Sequence, residues 1–240
     1  MAPPLHRHQL VRLDDAGWRE LQGRPWDDEA RACLAHWQAQ RLPLVVTRQE
    51  TRQVTWQVTW QVTQQVMQPV PCPGDGPAAD GLALGLPAPL CWQRRRIAMV
   101  VSHRHVAGFD EFPGIDAVVS RLPTQRRGPL RWLGAALAEV GASPHVYGSH
   151  GWQCLTGLAY VHAASDFDLW TAVADTAQAD AVAAVMGAFA ADHTPRLDGE
   201  LVFPDGRAVA WREWRAWRAG RCRAVLMKSL AGASLVSAAW

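Results

Sequence analysis

Three short stretches in the second half of the chain carry side chains suited to phosphoryl chemistry. In Asp166-Phe167-Asp168-Leu169, residues two apart on a strand share a face, about 6–7 Å apart. Both carboxylates then point one way and Phe167 and Leu169 the other. Like charges so placed repel unless a cation lies between them, and hard divalent ions such as Mg²⁺ take oxygen ligands of this kind. Paired metals can stabilise the attacking and leaving oxygens of a phosphoryl displacement. Asp198-Gly199-Glu200 repeats the pattern opposite Leu197 and Leu201. Asp198 is the first choice for a third carboxylate and Glu200 the second. Gly148-Ser149 stands between a strand candidate and a helix candidate. Such a turn lets the backbone approach a phosphate, whose oxygens the helix N–H groups and the hydroxyl can hold. Lys228 is the only lysine among 24 basic residues, and a compact ammonium is not interchangeable with a guanidinium. Taken singly, each stretch has an ordinary reading: a solvated strand, the charged side of a hairpin, a turn, a surface lysine.

The elements that must position these residues follow from the pattern of apolar residues. Around the site, Pro144–Tyr147 reads as a strand leading into Gly148, with a helix around Trp152–Leu155. Leu158–Val161 and Asp166–Trp170 read as strands, and Thr176–Ala191 as an alanine-rich helix. Leu197–Phe203 and Ala208–Trp211 flank the turn Pro204-Asp205-Gly206 as a hairpin. The segment from Arg212 starts helical, and Ala224–Met227 is a strand ending at Lys228. Leu130–Val140 is an amphipathic helix, and Pro123–Pro129 reads as a linker. In the first half, residues 14–41 are helical with a break at Pro25, Leu42–Thr47 is a strand, and Gly81–Pro87 and Ile97–Val101 are further strands. A near-repeat of QVTW reads as a local duplication with no catalytic content, and residues 69–90 are dense in Pro and Gly, their first half a loop. Strands and helices mixed in this order predict an α+β or α/β fold.

In that order the parts resemble the nucleotidyltransferase fold of the polymerase-beta superfamily, with Gly148 and Ser149 on its G-[GS] turn and Asp166 and Asp168 on its D-h-D metal pair. Sixteen residues separate Ser149 from Asp166, more than that superfamily usually has. The wording around the motif, YGSHGWQCLTGLAYVHAASDFDLW, DGELVFPDGRAVAWREW and VLMKS, resembles the holo-acyl-carrier-protein synthase of malonate decarboxylase, a phosphoribosyl-dephospho-CoA transferase, and the longer spacing belongs to that family. The resemblance covers about residues 130–230, and more loosely RHQLVRL, LPLVV and GLALGLP.

It implies a nucleotidyltransferase-like mixed sheet with helices in a C-terminal catalytic domain, 126–240, beside a smaller α+β N-terminal domain, 1–125, that completes the cleft or presents the carrier. It also implies transfer of 2′-(5-triphosphoribosyl)-3′-dephospho-CoA to a serine of the decarboxylase's acyl-carrier subunit, with loss of pyrophosphate and with Mg²⁺. Asp166 and Asp168 would hold the metal, with Asp198 as third ligand or general base and Glu200 second. Gly148 and Ser149 would cradle the β- and γ-phosphates, and Lys228 would neutralise the leaving pyrophosphate.

Composition limits the alternatives. Hydrophobic residues make up 49% and charged residues 19% of 240, enough for a core, and a net charge of +2 gives no whole-chain signal for nucleic acid. No apolar run reaches the ~18–20 residues of a membrane span, and the N-terminal stretch lacks a signal peptide's apolar core. Five widely spaced cysteines without C-x-x-C fit reduced thiols, so a cytoplasmic protein is expected.

Arginines 212, 215, 218, 221 and 223 interleave with Trp211, Trp214 and Trp217. They suit an amphipathic segment with tryptophans partly buried, a grip on donor or acidic carrier, or single-stranded nucleic acid. His6-x-His8 and His103-x-His105 have no third ligand at metal spacing, and the reaction needs neither. Two other functions remain: a nucleotidyltransferase using a common nucleoside triphosphate, separable by donor competition, and a non-catalytic carrier-binding module, separable by its lack of metal binding.

Overall fold

The computed structural model describes residues 5–49 and 81–237. The QVTW repeat and the loop half of the Pro/Gly-dense stretch lie outside these residues. The fold is α+β, with two mixed or antiparallel sheets and helices packed on them.

The first sheet is antiparallel throughout. It contains β1 (Leu10–Leu13), β2 (Leu44–Val46), β3 (Gly81–Pro87), β4 (Arg96–Ser102) and β5 (Val106–Asp110), in the order β4-β3-β2-β1-β5. Between β1 and β2 run α1 (Asp15–Gln22) and α2 (Asp28–Ala39). Each starts at an aspartate whose side chain accepts a backbone N–H, Asp14 from Gly17 and Asp27 from Ala30, which satisfies donors that a helix start leaves open. Helical spacing turns Ala30, Cys33, Leu34 and Trp37 inward, all fully buried.

The second sheet carries the candidate site. Its strands are β6 (His145–Val146), β7 (Phe167–Ala172), β8 (Leu197–Val202), β9 (Ala208–Ala210), β10 (Val225–Lys228) and β11 (Ala233–Val236), in the order β11-β10-β9-β8-β7-β6. Only β7 and β8 pair in parallel. A parallel pair needs a long crossover, and α6 (Thr176–Asp192) supplies it, capped by Asp175. Alternation along β7 and β8 sends Phe167, Leu169, Leu197 and Leu201 into one core. That face is covered by α4 (Thr124–Glu139), α6 and α7 (Trp211–Arg218), with Trp211 and Trp214 buried against it. Such tryptophans each remove enough apolar surface from water to stabilise the fold by a few kcal/mol.

The two cores meet at α5 (Gly148–Thr156). Trp152 of this helix belongs to the core of the first sheet, 5.3 Å from Phe112 edge to face and 6.5 Å from Trp37 between ring centroids.

Two local readings of the sequence are corrected. Pro123–Pro129 is not a linker. It forms the N-terminal cap and opening turns of α4, with Pro129 inside the helix. There Pro129 removes one helix N–H, but the buried series Leu130, Leu133 and Leu137 holds the helix on the core. Leu158–Val161 is not a strand. The Gln153 side-chain oxygen accepts the N–H groups of Tyr160 and Val161, so this backbone is satisfied without a sheet partner. The strands β1, β5 and β11 and the short helix α3 (Ile115–Val119) were not expected from the sequence.

Candidate active site

The register of β7 on β8 sets Asp168 beside Asp198 and Trp170 beside Glu200, all on the face away from α4, α6 and α7. Asp166 lies just before β7. Carboxylate oxygens of Asp166, Asp168 and Asp198 all fall within 4.8 Å of one another, and all three residues are partly buried. The strands approach closely here because residue 199 is glycine. A Cβ on Gly199 would run into the Leu169 carbonyl.

The Gly148-Ser149 turn closes on the same carboxylates. Gly148 has φ +60°, and a Cβ there would land on the Asp168 carboxylate, 2.8 Å from its Cγ. The Tyr147 N–H donates to the Asp168 carbonyl at 3.0 Å, fixing the turn to the strand. No side chain caps α5, so the N–H groups of its first turn, beside the carboxylate cluster, have no side-chain acceptor, and a helix start of this kind favours an anion.

Three carboxylates here meet little countercharge: among the described residues, the basic side chain that hydrogen-bonds the cluster is Arg196, whose Nη1 donates to Asp166 Oδ2 at 3.2 Å. Burial first, then the charges of Asp198 and Asp166, push the Asp168 carboxyl up to about 7. A carboxyl held there is destabilised as an anion by its own surroundings, and a divalent cation relieves that. The residues present therefore fit Mg²⁺: three hard oxygen donors, close-set and partly buried.

Glu200 faces other partners. It is 5% exposed, and four donors converge on it. Oε2 accepts from His8 Nε2 at 2.9 Å and Arg7 Nε at 3.2 Å. Oε1 accepts from Lys228 Nζ at 2.9 Å and, at a longer 3.5 Å, from Arg7 Nη2. A carboxylate offers about four acceptor positions, so both oxygens are committed. Burial alone would raise this carboxyl, but the hydrogen bond from His8 and the charges of His8 and Arg7 outweigh it and hold it well below the usual carboxylate range. The structure thus brings Asp166, Asp168, Asp198, Gly148 and Ser149 together and sets Glu200 apart, bound to Lys228.

Sequence reasoning missed the segment His6-Arg7-His8, which crosses this open face. His8 stacks on Tyr147 with ring centroids 4.1 Å apart, and His6 lies 4.9 Å from Trp170, whose ring also stacks on His145 at 4.6 Å. His6 Nε2 meets Glu111 at 2.9 Å and Nδ1 meets the Arg7 carbonyl at 2.7 Å. Both partners are acceptors, which only an imidazolium satisfies. Accordingly, although burial opposes it, the hydrogen bond to Glu111 raises the His6 pKa. The HRH spelling is the available signal, but its histidine spacing points only to a metal motif that lacks a third ligand.

The arginine and tryptophan run of α7 lies on the other side of the sheet. Trp211 and Trp214 are buried, and Arg218 pairs with Asp180 at 2.7 Å. The tryptophans are therefore committed to packing, as in an amphipathic helix.

A family model described as the phosphoribosyl-dephospho-CoA transferase MdcG C-terminal domain matches residues 114–239. A phosphoribosyl-dephospho-CoA transferase of Xanthomonas axonopodis pv. citri (strain 306) is 36% identical over 228 residues, covering 93% of this chain and 90% of its own length. One of Bradyrhizobium diazoefficiens is 31% identical over 227 residues, 95% of this chain and 88% of its own. No solved structure matches.

Proposed function

The chain belongs to the phosphoribosyl-dephospho-CoA transferase family, and from that premise we propose that it moves 2′-(5-phosphoribosyl)-3′-dephospho-CoA from its triphosphate precursor onto a serine of the acyl-carrier subunit of malonate decarboxylase. The observation that carries this reading is the carboxylate cluster of Asp166, Asp168 and Asp198, with the uncapped start of α5 packed against it.

The serine oxygen attacks the α-phosphorus, the bond to the bridging oxygen breaks, and pyrophosphate leaves with that electron pair, so that a phosphodiester remains. This is nucleotidyl-transfer chemistry with a CoA-like donor. Mg²⁺ held by Asp166, Asp168 and Asp198 would neutralise triphosphate charge and lower the pKa of the attacking hydroxyl. Asp198, with one oxygen accepting the Gly199 N–H at 2.9 Å, keeps its other oxygen for the metal or for the serine proton. Gly148 and Ser149 present N–H groups to the β- and γ-phosphates, and Lys228 faces the pyrophosphate as it departs.

In this reading the chemistry belongs to the C-terminal part, 126–240, and the N-terminal part, 1–125, completes the donor cleft. Contact of His6, Arg7 and His8 with the site supports that role. No nucleic acid or membrane takes part. Among the described residues, no helix is long and apolar enough to cross a membrane, and the cysteines there are free thiols. We place the reaction in the cytoplasm on the sequence pattern of five widely spaced cysteines without C-x-x-C, which fits reduced thiols.

The test is to incubate the protein with the triphosphoribosyl donor, the apo acyl-carrier subunit and Mg²⁺, and to weigh the carrier by intact mass spectrometry. The expected gain is the donor less pyrophosphate, lost on chelation and lost in Asp166→Ala with its fold intact. No gain with a folded protein and a competent carrier would sink the reading. Mg²⁺-dependent transfer retained in Asp166→Ala would sink the metal assignment.

A further inference from the structure

The segment His6–His8 is held on the second sheet by Glu200, whose carboxylate binds Arg7 and His8 of the segment and Lys228 of β10. Glu200 is 6% exposed at its side chain, whereas Arg7 is 25% and Lys228 32% exposed. The anion is beneath and the cations above, with surfaces turned outward. One carboxylate cannot neutralise two permanent cations, so a surplus positive charge stands at this spot even without His8. Among the described residues, Arg7 Nη1 makes no hydrogen bond and Lys228 Nζ makes one, to Glu200. Donors therefore remain for an incoming anion. The position is set by the strand: Glu200 is two residues beyond Asp198, about 7 Å along the same face, a distance two linked phosphates span. His8 has φ +67°, uncommon for a residue with a side chain, while its ring stacks on Tyr147 next to Gly148. That conformation is overdetermined by the contacts of His8 with Glu200 and Tyr147.

We propose that His6–His8 is a working part of the site: Arg7, positioned by Glu200 and braced by His8, is a second phosphate-binding cation beside Lys228 and grips the terminal phosphates of the donor. Glu200 is then a positioning residue and not a metal ligand. Two guanidinium N–H groups are spent on Glu200, and the remaining edge meets phosphate oxygens in the paired geometry guanidinium favours. This inference rests on the triphosphate donor named above. It predicts that the first residues of the chain govern donor affinity, although the metal cluster lies more than 150 residues away in sequence.

The test measures transfer kinetics and inhibition by inorganic tripolyphosphate with Mg²⁺ in the full chain, Arg7→Ala, Arg7→Lys and Glu200→Gln. For Arg7→Ala the expected result is a rise of tenfold or more in KM for the donor, an equal loss of tripolyphosphate affinity, and a wild-type melting temperature within a few degrees. Arg7→Lys should recover part of both, and Glu200→Gln should weaken both like Arg7→Ala if it folds. Arg7→Ala with wild-type KM and wild-type tripolyphosphate inhibition overturns the proposal while leaving the transfer reaction standing. A lowered kcat at unchanged KM and unchanged inhibition in Arg7→Ala overturns it as well, because Arg7 would then act only through the fold. Absence of transfer by the wild-type chain overturns the underlying reaction, and the proposal with it.

Discussion

Gly148→Ala separates the two demands on the turn beneath the carboxylates. At φ +60° an alanine pays a steric cost of roughly 1–2 kcal/mol that glycine does not. Its Cβ would also occupy the place of the Asp168 carboxylate, 2.8 Å from Cγ and 3.2 Å from Cβ of that residue. Asp168 would have to retreat by about an ångström, and misplacement on that scale costs on the order of 100-fold in rate. Gly157 is the control. It has φ +71°, and a Cβ there meets nothing within 4 Å. Gly157→Ala should lose the same 1–2 kcal/mol in urea unfolding and keep its transfer rate. Gly148→Ala should lose at least as much stability and about 100-fold in single-turnover transfer, followed by carrier mass. If Gly148→Ala turned over within threefold of wild type, the argument that this glycine exists to let the turn touch Asp168 would be wrong.

Two further outcomes are expected. His150 is 3% exposed, and burial, with a smaller push from Arg126, lowers its pKa to about 4 from 6.5. Both states are neutral above 6.5, and below it only the unfolded chain gains the proton, so stability should fall by about 2 kcal/mol between pH 6.5 and 5 through this group. His150→Leu should flatten the pH dependence of urea unfolding by that amount, and an unchanged slope would show that His150 is not the group responsible. Arg215→Glu on α7 together with Arg221→Glu just beyond its end should leave transfer within about twofold, because that helix covers the sheet face opposite Asp168. A tenfold loss of apparent carrier affinity would instead assign to docking the groove that Asp180 and Gly187 of α6 line with Arg215 and Arg221.

The carboxylate cluster was readable because strand alternation fixes the facing of residues two apart, and one parallel pairing suffices to bring Asp168 and Asp198 level. The same rule put Asp198 and Glu200 on one face but could not separate their roles. What separates them is the arrival of Arg7 and His8, over 190 positions distant in the chain, and no local pattern encodes such a contact. Short strands failed for a related reason. Leu10–Leu13 has an exposed Arg12 between buried neighbours, too few residues for a period to show. Proline density misled at Pro123–Pro129, where tertiary burial of the leucines that follow overrides the breaker.

The helix that begins at Gly148 has its first turn against the carboxylate cluster and Trp152, four residues on, in the core of the other sheet. A fragment cut at residue 114, where the family's C-terminal match begins, would keep every carboxylate of the cluster but strip Trp152 and Tyr160 of Trp37, Leu34 and Leu86. It would expose an oily patch at the back of the Gly148-Ser149 turn and lose the contacts of Arg7 and His8 with Glu200 and Tyr147 at its front. Expressed alone, such a piece should be sticky and inert, and supplying the missing half in trans should recover it only by covering both sides of that one helix.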